Sequence, residues 1–167
     1  MTRERTTSVT EPLRAEHREL LPHLEEVAGV AAALGEWTAD TPARLEAVVA
    51  FLRDHLVPHA RAEEAALYPA VERAMGAPGA TATMAADHVE IVRRIDALAA
   101  AVAGIGDGAP DPVAVDRLRA QLVGLHAILL LHFHKEEEVL LPVLDAHLGE
   151  DEARAMFAEM VAVAHPH

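Results

Sequence analysis

The stretch HARAEEAALYP, at residues 59–69, recurs as HFHKEEEVLLP at residues 132–142. Both copies begin with a histidine, carry neighbouring carboxylates from the fifth position and end in a proline. A second pair of segments, AEHRELL at residues 15–21 and ADHVEIV at residues 86–92, is repeated at nearly the same spacing. The chain is therefore built from two related halves, each carrying the same two histidine-bearing segments.

The composition limits the classes of function that fit the chain. Its 14 Lys and Arg against 27 Asp and Glu give a formal net charge of −13, which repels nucleic-acid phosphates and anionic lipids. The absence of cysteine excludes disulfides, thiolate metal sites and cysteine nucleophiles. The N-terminal residues lack the apolar core of a signal peptide, and no apolar run is long enough to span a bilayer. We therefore expect one cytoplasmic domain that binds neither nucleic acid nor membrane.

Helix-forming residues dominate the chain, and β-branched residues are few beyond scattered valines. Short segments rich in Gly and Pro separate the helical patterns, and connections this brief place consecutive helices side by side and antiparallel. The sequence predicts an all-α, up-down-up-down four-helix bundle at residues 11–148. We expect a disordered tail at residues 1–10 and a short C-terminal helix and tail at residues 149–167. The predicted helices cover residues 11–34, 43–75, 80–103, 113–147 and 151–163.

Alternating steps of four and three residues along each bundle helix pick out the positions expected to face the core, called here the seam. The seam residues are apolar except at one height along the bundle. The first and third helices each place a histidine there, and the second and fourth each place a His and a Glu four residues apart. Beyond this level the same steps predict that Val139 and Val143 face the core on the fourth helix, and Val49 does so on the second. The six ionisable seam residues are His17, His59, Glu63, His88, His132 and Glu136.

Ionisable side chains in an apolar core must satisfy one another or bind something, because an unpaired buried charge costs several kcal/mol. An isolated core histidine is an alternative interpretation of His17 and of His88. Four helices contributing at one level favour a metal site instead. Because His and Glu at four-residue spacing share a helix face, each pair can reach one ion or two adjacent ions. The internal repeat makes this a twinned site.

The order of these residues resembles the hemerythrin-like cation-binding domain, or HHE family, over about residues 11–148. The Leu-Tyr-Pro and Leu-Leu-Pro segments that follow the carboxylates belong to the same pattern. The resemblance implies a non-haem di-iron centre, with two iron ions joined by an oxo or hydroxo bridge and with Glu63 and Glu136 as bridging carboxylates. Zinc and manganese are alternative metals. The ligands implied by the family pattern are His17, His59, Glu63, His88, His132 and Glu136.

The chain departs from the oxygen-carrying hemerythrins in two places. Those proteins have a second histidine one turn from the first on the third helix, whereas Met84 and Val92 flank His88 here. They also have a His and an Asp five apart on the fourth helix, where this chain has His132 and Glu136 four apart. Fewer nitrogen ligands leave room for a peroxide or small diatomic ligand. The resemblance therefore favours peroxide or oxygen chemistry, in a catalase-like or related reaction, over reversible oxygen carriage.

Two other functions remain open at this stage. The protein could bind, sense or store oxygen, nitric oxide or iron without turnover, or it could hold a structural metal ion. The oligomeric state, monomer or homodimer, is also open.

Several residues near the predicted ligands have two possible roles or a competing register. Glu64 and Glu137 are expected to be solvated, with the alternative that each orients an imidazole through its free N–H. Tyr68 is expected to pack between helices, with an approach to the cluster as the alternative. The pair His134 and Glu138 has the ligand spacing too, although the seam favours His132 and Glu136. His55 is a spare histidine one turn before His59.

Overall fold

The structure, a computed structural model, describes residues 8–106 and 108–165. These residues form five helices and no strand, as the sequence predicts. Two of the helices, α2 and α4, are continuous but contain wide π turns. The helices are α1 (Glu11–Ala33), α2 (residues 41–75), α3 (Ala82–Ala103), α4 (residues 112–147) and α5 (Glu150–Ala164).

Local chemistry sets where the helices begin and end. The side chain of Asp111 accepts a hydrogen bond of 3.0 Å from the N–H of Ala114, and Pro112 occupies the first helical position of α4. Gly76 ends α2 with a φ of 62°, a left-handed conformation that favours glycine. At the start of α5, the Gly149 N–H donates to the carboxylate of Glu152 at 3.0 Å.

The first four helices form the predicted up-down-up-down bundle. Helix α1 packs against α2 and α4, and α3 packs against the same two helices from the other side. Two apolar clusters fill the interior: one contains Leu24, Leu52 and Leu125, and the other contains Leu13 and Leu141. The ionisable level of the seam lies between these two clusters.

Three π turns interrupt the even-numbered helices, at Leu52–Leu56 and Glu63–Leu67 of α2 and at Glu136–Leu140 of α4. A proline follows two residues after each of them. Proline has no N–H, and its ring crowds the carbonyl four residues earlier, so a wider turn relieves a conflict that a regular helix would keep. Two of the turns begin at the predicted ligands Glu63 and Glu136.

The π turn of α4 explains where the predicted seam is wrong on that helix. Each wide turn adds one residue to a helical turn and so moves the following residues to a different face. On α4, Val139 is 56 % exposed, whereas its neighbour Leu140 is buried. Farther along, Leu144 is buried and Val143 is only partly so. The strict step pattern fails at these positions of α4 because it assumes a regular helix. On α2 the seam is also wrong, since Val48 rather than Val49 is buried. These two residues precede the first π turn, so the error there is in the order of the three- and four-residue steps.

The ends of the chain also pack on the bundle. Helix α5, which the sequence predicts, lies against residues 57–67 of α2. Residues 1–7 of the predicted disordered tail lie outside the described residues. The last residues of that segment differ from the prediction, because Thr10 is fully buried. The hydroxyls of Ser8 and Thr10 donate to Asp145 Oδ1 at 2.6 and 2.9 Å. Over the described ranges no helix combines the length and apolar character that a membrane span requires.

Candidate metal centre

Six ionisable side chains from four helices meet at one level of the bundle. They are the six that the sequence predicts, and each is at most 4 % exposed. Helices α1 and α3 each contribute one histidine, while α2 and α4 each contribute a His and a Glu from successive turns. The converging residues are His17, His59, Glu63, His88, His132 and Glu136.

The cluster divides into two half-sites. The first half-site contains His17, His59 and Glu63, and the second contains Glu63, His88, His132 and Glu136. Within each half-site, one donor atom of every residue lies within 4.8 Å of the others. Glu63 belongs to both, because its two oxygens face in different directions. Its Oε1 is 2.9 Å from His59 Nε2 in the first half-site, and its Oε2 is 3.3 Å from His88 Nε2 in the second.

Glu136 spans the same gap from the opposite helix. Its Oε1 lies 3.3 Å from His132 Nε2, and its Oε2 lies 3.6 Å from His17 Nε2. Two carboxylates therefore each direct one oxygen to each half-site. This arrangement reflects the internal repeat, since Glu63 and Glu136 occupy the same position in the two copies.

Several buried atoms of the cluster have no hydrogen-bond partner among the described residues. His59 Nε2 and Glu63 Oε1 are only 2.9 Å apart but lack hydrogen-bond geometry, so they are directed at a shared space rather than at each other. An unsatisfied buried polar atom costs about 1–3 kcal/mol. A cation in that space would accept all these lone pairs at once, so the residues fit a metal ion. The unpartnered atoms are His17 Nε2, His59 Nε2, Glu63 Oε1, Glu63 Oε2 and Glu136 Oε2.

The electrostatics of the cluster favour charged side chains despite burial. Burial opposes ionisation of Glu63, but the nearby imidazoles, His59 foremost, hold its pKa well below the usual range. Burial likewise opposes protonation of His59, but the charge of Glu63 and the hydrogen bond to Glu16 raise its pKa well above the usual value. An imidazolium cannot bind a metal, so binding would displace these protons.

Each of the four histidines is oriented from behind by a carboxylate. Because each Nδ1–H donates to a carboxylate oxygen, the Nε2 lone pair of each ring is left to face the centre. Each of the four helices contributes one of these carboxylates, and each carboxylate accepts a hydrogen bond from a histidine on a neighbouring helix. The Nδ1–oxygen pairs are His17–Glu137 at 2.7 Å, His59–Glu16 at 2.9 Å, His88–Glu64 at 2.8 Å and His132–Asp87 at 3.1 Å.

Sequence reasoning found only half of these orienting carboxylates. For Glu64 and Glu137 the structure shows the orienting role that the sequence gives as an alternative to a solvated one. Glu16 and Asp87 were missed. A signal for them exists, since each directly precedes a predicted ligand in the repeated segments AEH and ADH.

Tyr68 lies at the centre, so the alternative given for it, an approach to the cluster, describes its position better than packing between helices alone. Its hydroxyl donates to Glu136 Oε1 at 3.0 Å and is 3.1 Å from His88 Nε2. The π turn at Glu63–Leu67 immediately precedes Tyr68 and changes the face on which it lies. Burial and the charges of Glu63 and Glu136 raise the pKa of the phenol. The matching residue of the second copy is Leu141, which is buried but apolar.

The other histidines of interest do not join the cluster. His134 and Glu138 are exposed, so the structure brings His132 and Glu136 to the centre, as the seam predicts. His55 is also exposed and stacks against Phe51, with 5.7 Å between ring centroids.

The same family that the sequence resembles is found by comparison with known proteins. The profile of the hemerythrin HHE cation-binding domain matches residues 8–144 and, in a second match, residues 80–165. The chain belongs to this family. Neither the curated proteins nor the solved structures gave a significant match. For an HHE domain with clustered imidazoles and carboxylates at its core, metal binding is the function that family and geometry share.

The orienting carboxylates of this HHE domain can be tested at Glu137, which links Arg14 to His17. We expect Glu137→Gln to weaken metal binding about 10–100-fold without abolishing it, because the imidazole loses its ionic partner but keeps its place. Titration of the metal-free protein with Co²⁺ measures the change. Glu138→Gln, at an exposed neighbouring position, is the matched control and should bind normally. Equal affinities in both variants would contradict the orienting role.

Proposed function

We propose that this HHE domain holds a non-haem di-iron centre that binds peroxide or dioxygen and turns peroxide over. The observation that carries the proposal is the pair of carboxylates, Glu63 and Glu136, that each direct one oxygen to each half-site. Such a pair suits two ions held side by side. Mixed imidazole and carboxylate donors are typical of non-haem iron, although zinc and manganese accept them too.

The separations of the donor atoms support the proposed ligands. Two donors about 2.1 Å from one ion, at right angles to each other, are about 3.0 Å apart. In the second half-site, His88 Nε2 and His132 Nε2 are 2.9 Å apart, and the Tyr68 hydroxyl is 3.1 and 3.4 Å from them. We therefore add Tyr68 to the ligands of the second ion. It supplies a donor on the side where the oxygen carriers have their additional histidine.

The two half-sites differ in the number of donors that they offer. The first has four donors: His17, His59 and one oxygen from each bridging carboxylate. It has no tyrosine, because the residue that matches Tyr68 in the second copy of the repeat is Leu141. The second has the equivalent four donors and Tyr68 as a fifth. We therefore place the peroxide or dioxygen ligand at the first half-site, where one more position is free.

Apolar residues enclose one side of the centre. Phe133 stacks on His17 with 4.6 Å between ring centroids. A cavity of about 10 Å³ lies between cluster residues and apolar side chains that include Leu56, Ile91 and Leu129. This volume is at the lower limit for one water molecule, so bulk water is excluded from this side of the centre.

Bound iron would accept two electrons from one peroxide molecule and return them to a second. The carboxylates Glu63 and Glu136 balance the positive charge, and the orienting carboxylates keep each imidazole ring in place. Disproportionation converts two molecules of hydrogen peroxide into two of water and one of dioxygen. This reaction consumes no external reductant, because the second peroxide molecule is the electron source.

The proposal is tested by metal analysis of the purified protein, with a visible spectrum recorded before and after hydrogen peroxide is added. We expect about two irons per chain, an absorption band from oxo or ligand-to-iron charge transfer, and one dioxygen released for every two peroxides. Protein stripped of metal by a chelator is the control and should release none. Zinc, or no metal, would contradict the di-iron centre. Iron without dioxygen release would favour binding or sensing of oxygen, nitric oxide or iron.

A further inference from the structure

We propose that divalent metal ions reach the centre through a cavity on the His59 side of the bundle, called here the loading cavity. This inference rests on the proposed metal-binding function and adds the route by which the ions arrive. The cavity has a volume of about 280 Å³ and lies between α1, α2 and the end of α5. Its polar lining includes Glu16, Glu19, His23, Asp54, His55 and His59.

The buried centre requires such a route, because its donor residues are at most 4 % exposed. Glu16 connects the cavity to the centre: its side chain is 50 % exposed, and its Oε1 is 2.9 Å from Nδ1 of His59. An ion that binds Glu16 from the cavity therefore lies one imidazole ring away from the first half-site. Movement of that ring would pass the ion inward.

The chemistry of the cavity suits a first-row divalent cation such as Fe²⁺. His23 and His55 are exposed imidazoles on α1 and α2, and both stack against Phe51, at 4.3 and 5.7 Å between ring centroids. Asp54 and Glu19 add exposed carboxylates. Exposed donors of both types can replace part of the hydration shell of an ion without holding it as tightly as a buried site.

The internal repeat provides a comparison within the same molecule. On the second half of the chain, Arg94 occupies the position of His23, and Gly124 occupies that of Phe51. Arg94 lies over Gly124 so closely that an added Cβ would be 2.6 Å from its Nη1, and its Nε is 2.7 Å from Glu90. A guanidinium therefore fills the place that is open on the His59 side, and it would repel an incoming cation.

Two further donors of the loading cavity have no counterpart, because the residues matching Asp54 and His55 in the second copy are Ala127 and Ile128. Glu19 is matched by Glu90, but that carboxylate is paired with Arg94. The duplicated sequence thus retains the ligands of the centre in both halves, but the first half alone adds His23, Asp54 and His55.

The orienting carboxylates show the same asymmetry. Asp87 pairs with Lys135, and Glu137 pairs with Arg14, so the carboxylates behind His132 and His17 are each held by a second cationic side chain. Among the described residues, Glu16 and Glu64 each have a single ionic partner, His59 and His88 respectively. Of these two, only Glu16 lines the loading cavity. Glu16 can exchange its partner for a metal ion without breaking another ion pair.

The test is the rate of metal uptake by the metal-free protein, followed by stopped-flow absorbance with Co²⁺ as the probe under anaerobic conditions. In the double variant Asp54→Asn/His55→Gln we expect uptake to be at least about tenfold slower, because charged clefts raise the local cation concentration by about that factor or more. The final number of ions per chain should be unchanged. The matched control, His134→Gln/Glu138→Gln, removes one exposed histidine and one exposed carboxylate from α4 and should load at the normal rate.

The outcomes separate the route from the centre. Normal uptake by the cavity variant, or equal slowing in the control, would overturn the loading cavity while leaving the centre intact. A lower final stoichiometry in the cavity variant would also overturn it, because Asp54 and His55 would then be part of the site rather than of the path. Failure of the unaltered protein to take up any metal would instead overturn the proposed function.

Discussion

The substitution Glu63→Gln is expected to abolish tight binding of both metal ions. Its carboxylate directs Oε1 to His59 and Oε2 to His88, so a single residue serves both half-sites. Glutamine has the same shape but one oxygen and one NH₂ group, and the NH₂ can only donate. The variant would therefore present a hydrogen-bond donor to one ion and a neutral oxygen to the other. We expect affinity to fall by at least about 100-fold, above the loss caused by altering an orienting residue.

The same substitution should remove the stabilisation of the fold by metal. A ligand present at 100 times its dissociation constant stabilises the folded state by about 2.7 kcal/mol. We therefore expect the melting temperature of the unaltered protein to rise when Co²⁺ is added, and that of Glu63→Gln to stay constant. Comparing each protein with and without metal removes any effect of the substitution on the metal-free fold. Glu138→Gln, on the exposed face of α4, should respond like the unaltered protein. A variant that binds two ions with ordinary affinity would exclude Glu63 as a shared ligand.

The bundle and the six converging residues were predictable because they depend on short-range periodicity. From Leu13 to Leu34 on α1, every seam position is buried, and on α3 the same is true from Met84 to Leu98. In a helix without π turns, the position of a residue in the sequence determines the side of the helix on which it lies. The internal repeat then shows which inward residues recur. Ionisable residues that recur at inward positions are unusual in an apolar core, so they indicate a site.

Contacts between helices were harder to predict. Glu16 and Asp87 lie outside the seam, and each bonds a histidine on the next helix rather than on its own. Sequence spacing gives the face of a helix but not the height at which a neighbouring helix crosses it. For Tyr68 the packing role was favoured for a different reason, since the π turn before it shifts its face by one residue. The prolines at positions 69 and 142 were the available signal, because a proline inside a helix requires some local change in the turn.

The substitution Tyr68→Phe is expected to remove a phenolate-to-iron absorption band from the visible spectrum of the iron-loaded protein. The hydroxyl of Tyr68 lies 3.0–3.4 Å from three proposed donors of the second ion, Glu136, His88 and His132. Burial raises the pKa of the phenol, so a nearby metal ion is required to displace its proton at neutral pH. Phenylalanine retains the ring, so the packing of the fold should be kept.

Absorption and resonance Raman spectra of the two iron-loaded proteins measure this effect. Tyr68 is the only tyrosine among the 167 residues, so any phenolate vibration has one possible source. We expect those vibrations in the unaltered protein alone, with the iron content of both proteins near two per chain because the bridging carboxylates and four imidazoles remain. The chelated, iron-free protein is the control and should show no such band. Spectra that are identical with and without the hydroxyl would mean that Tyr68 only donates a hydrogen bond to Glu136. The second ion would then have the same four protein donors as the first, and the difference between the half-sites that directs peroxide to the first one would disappear.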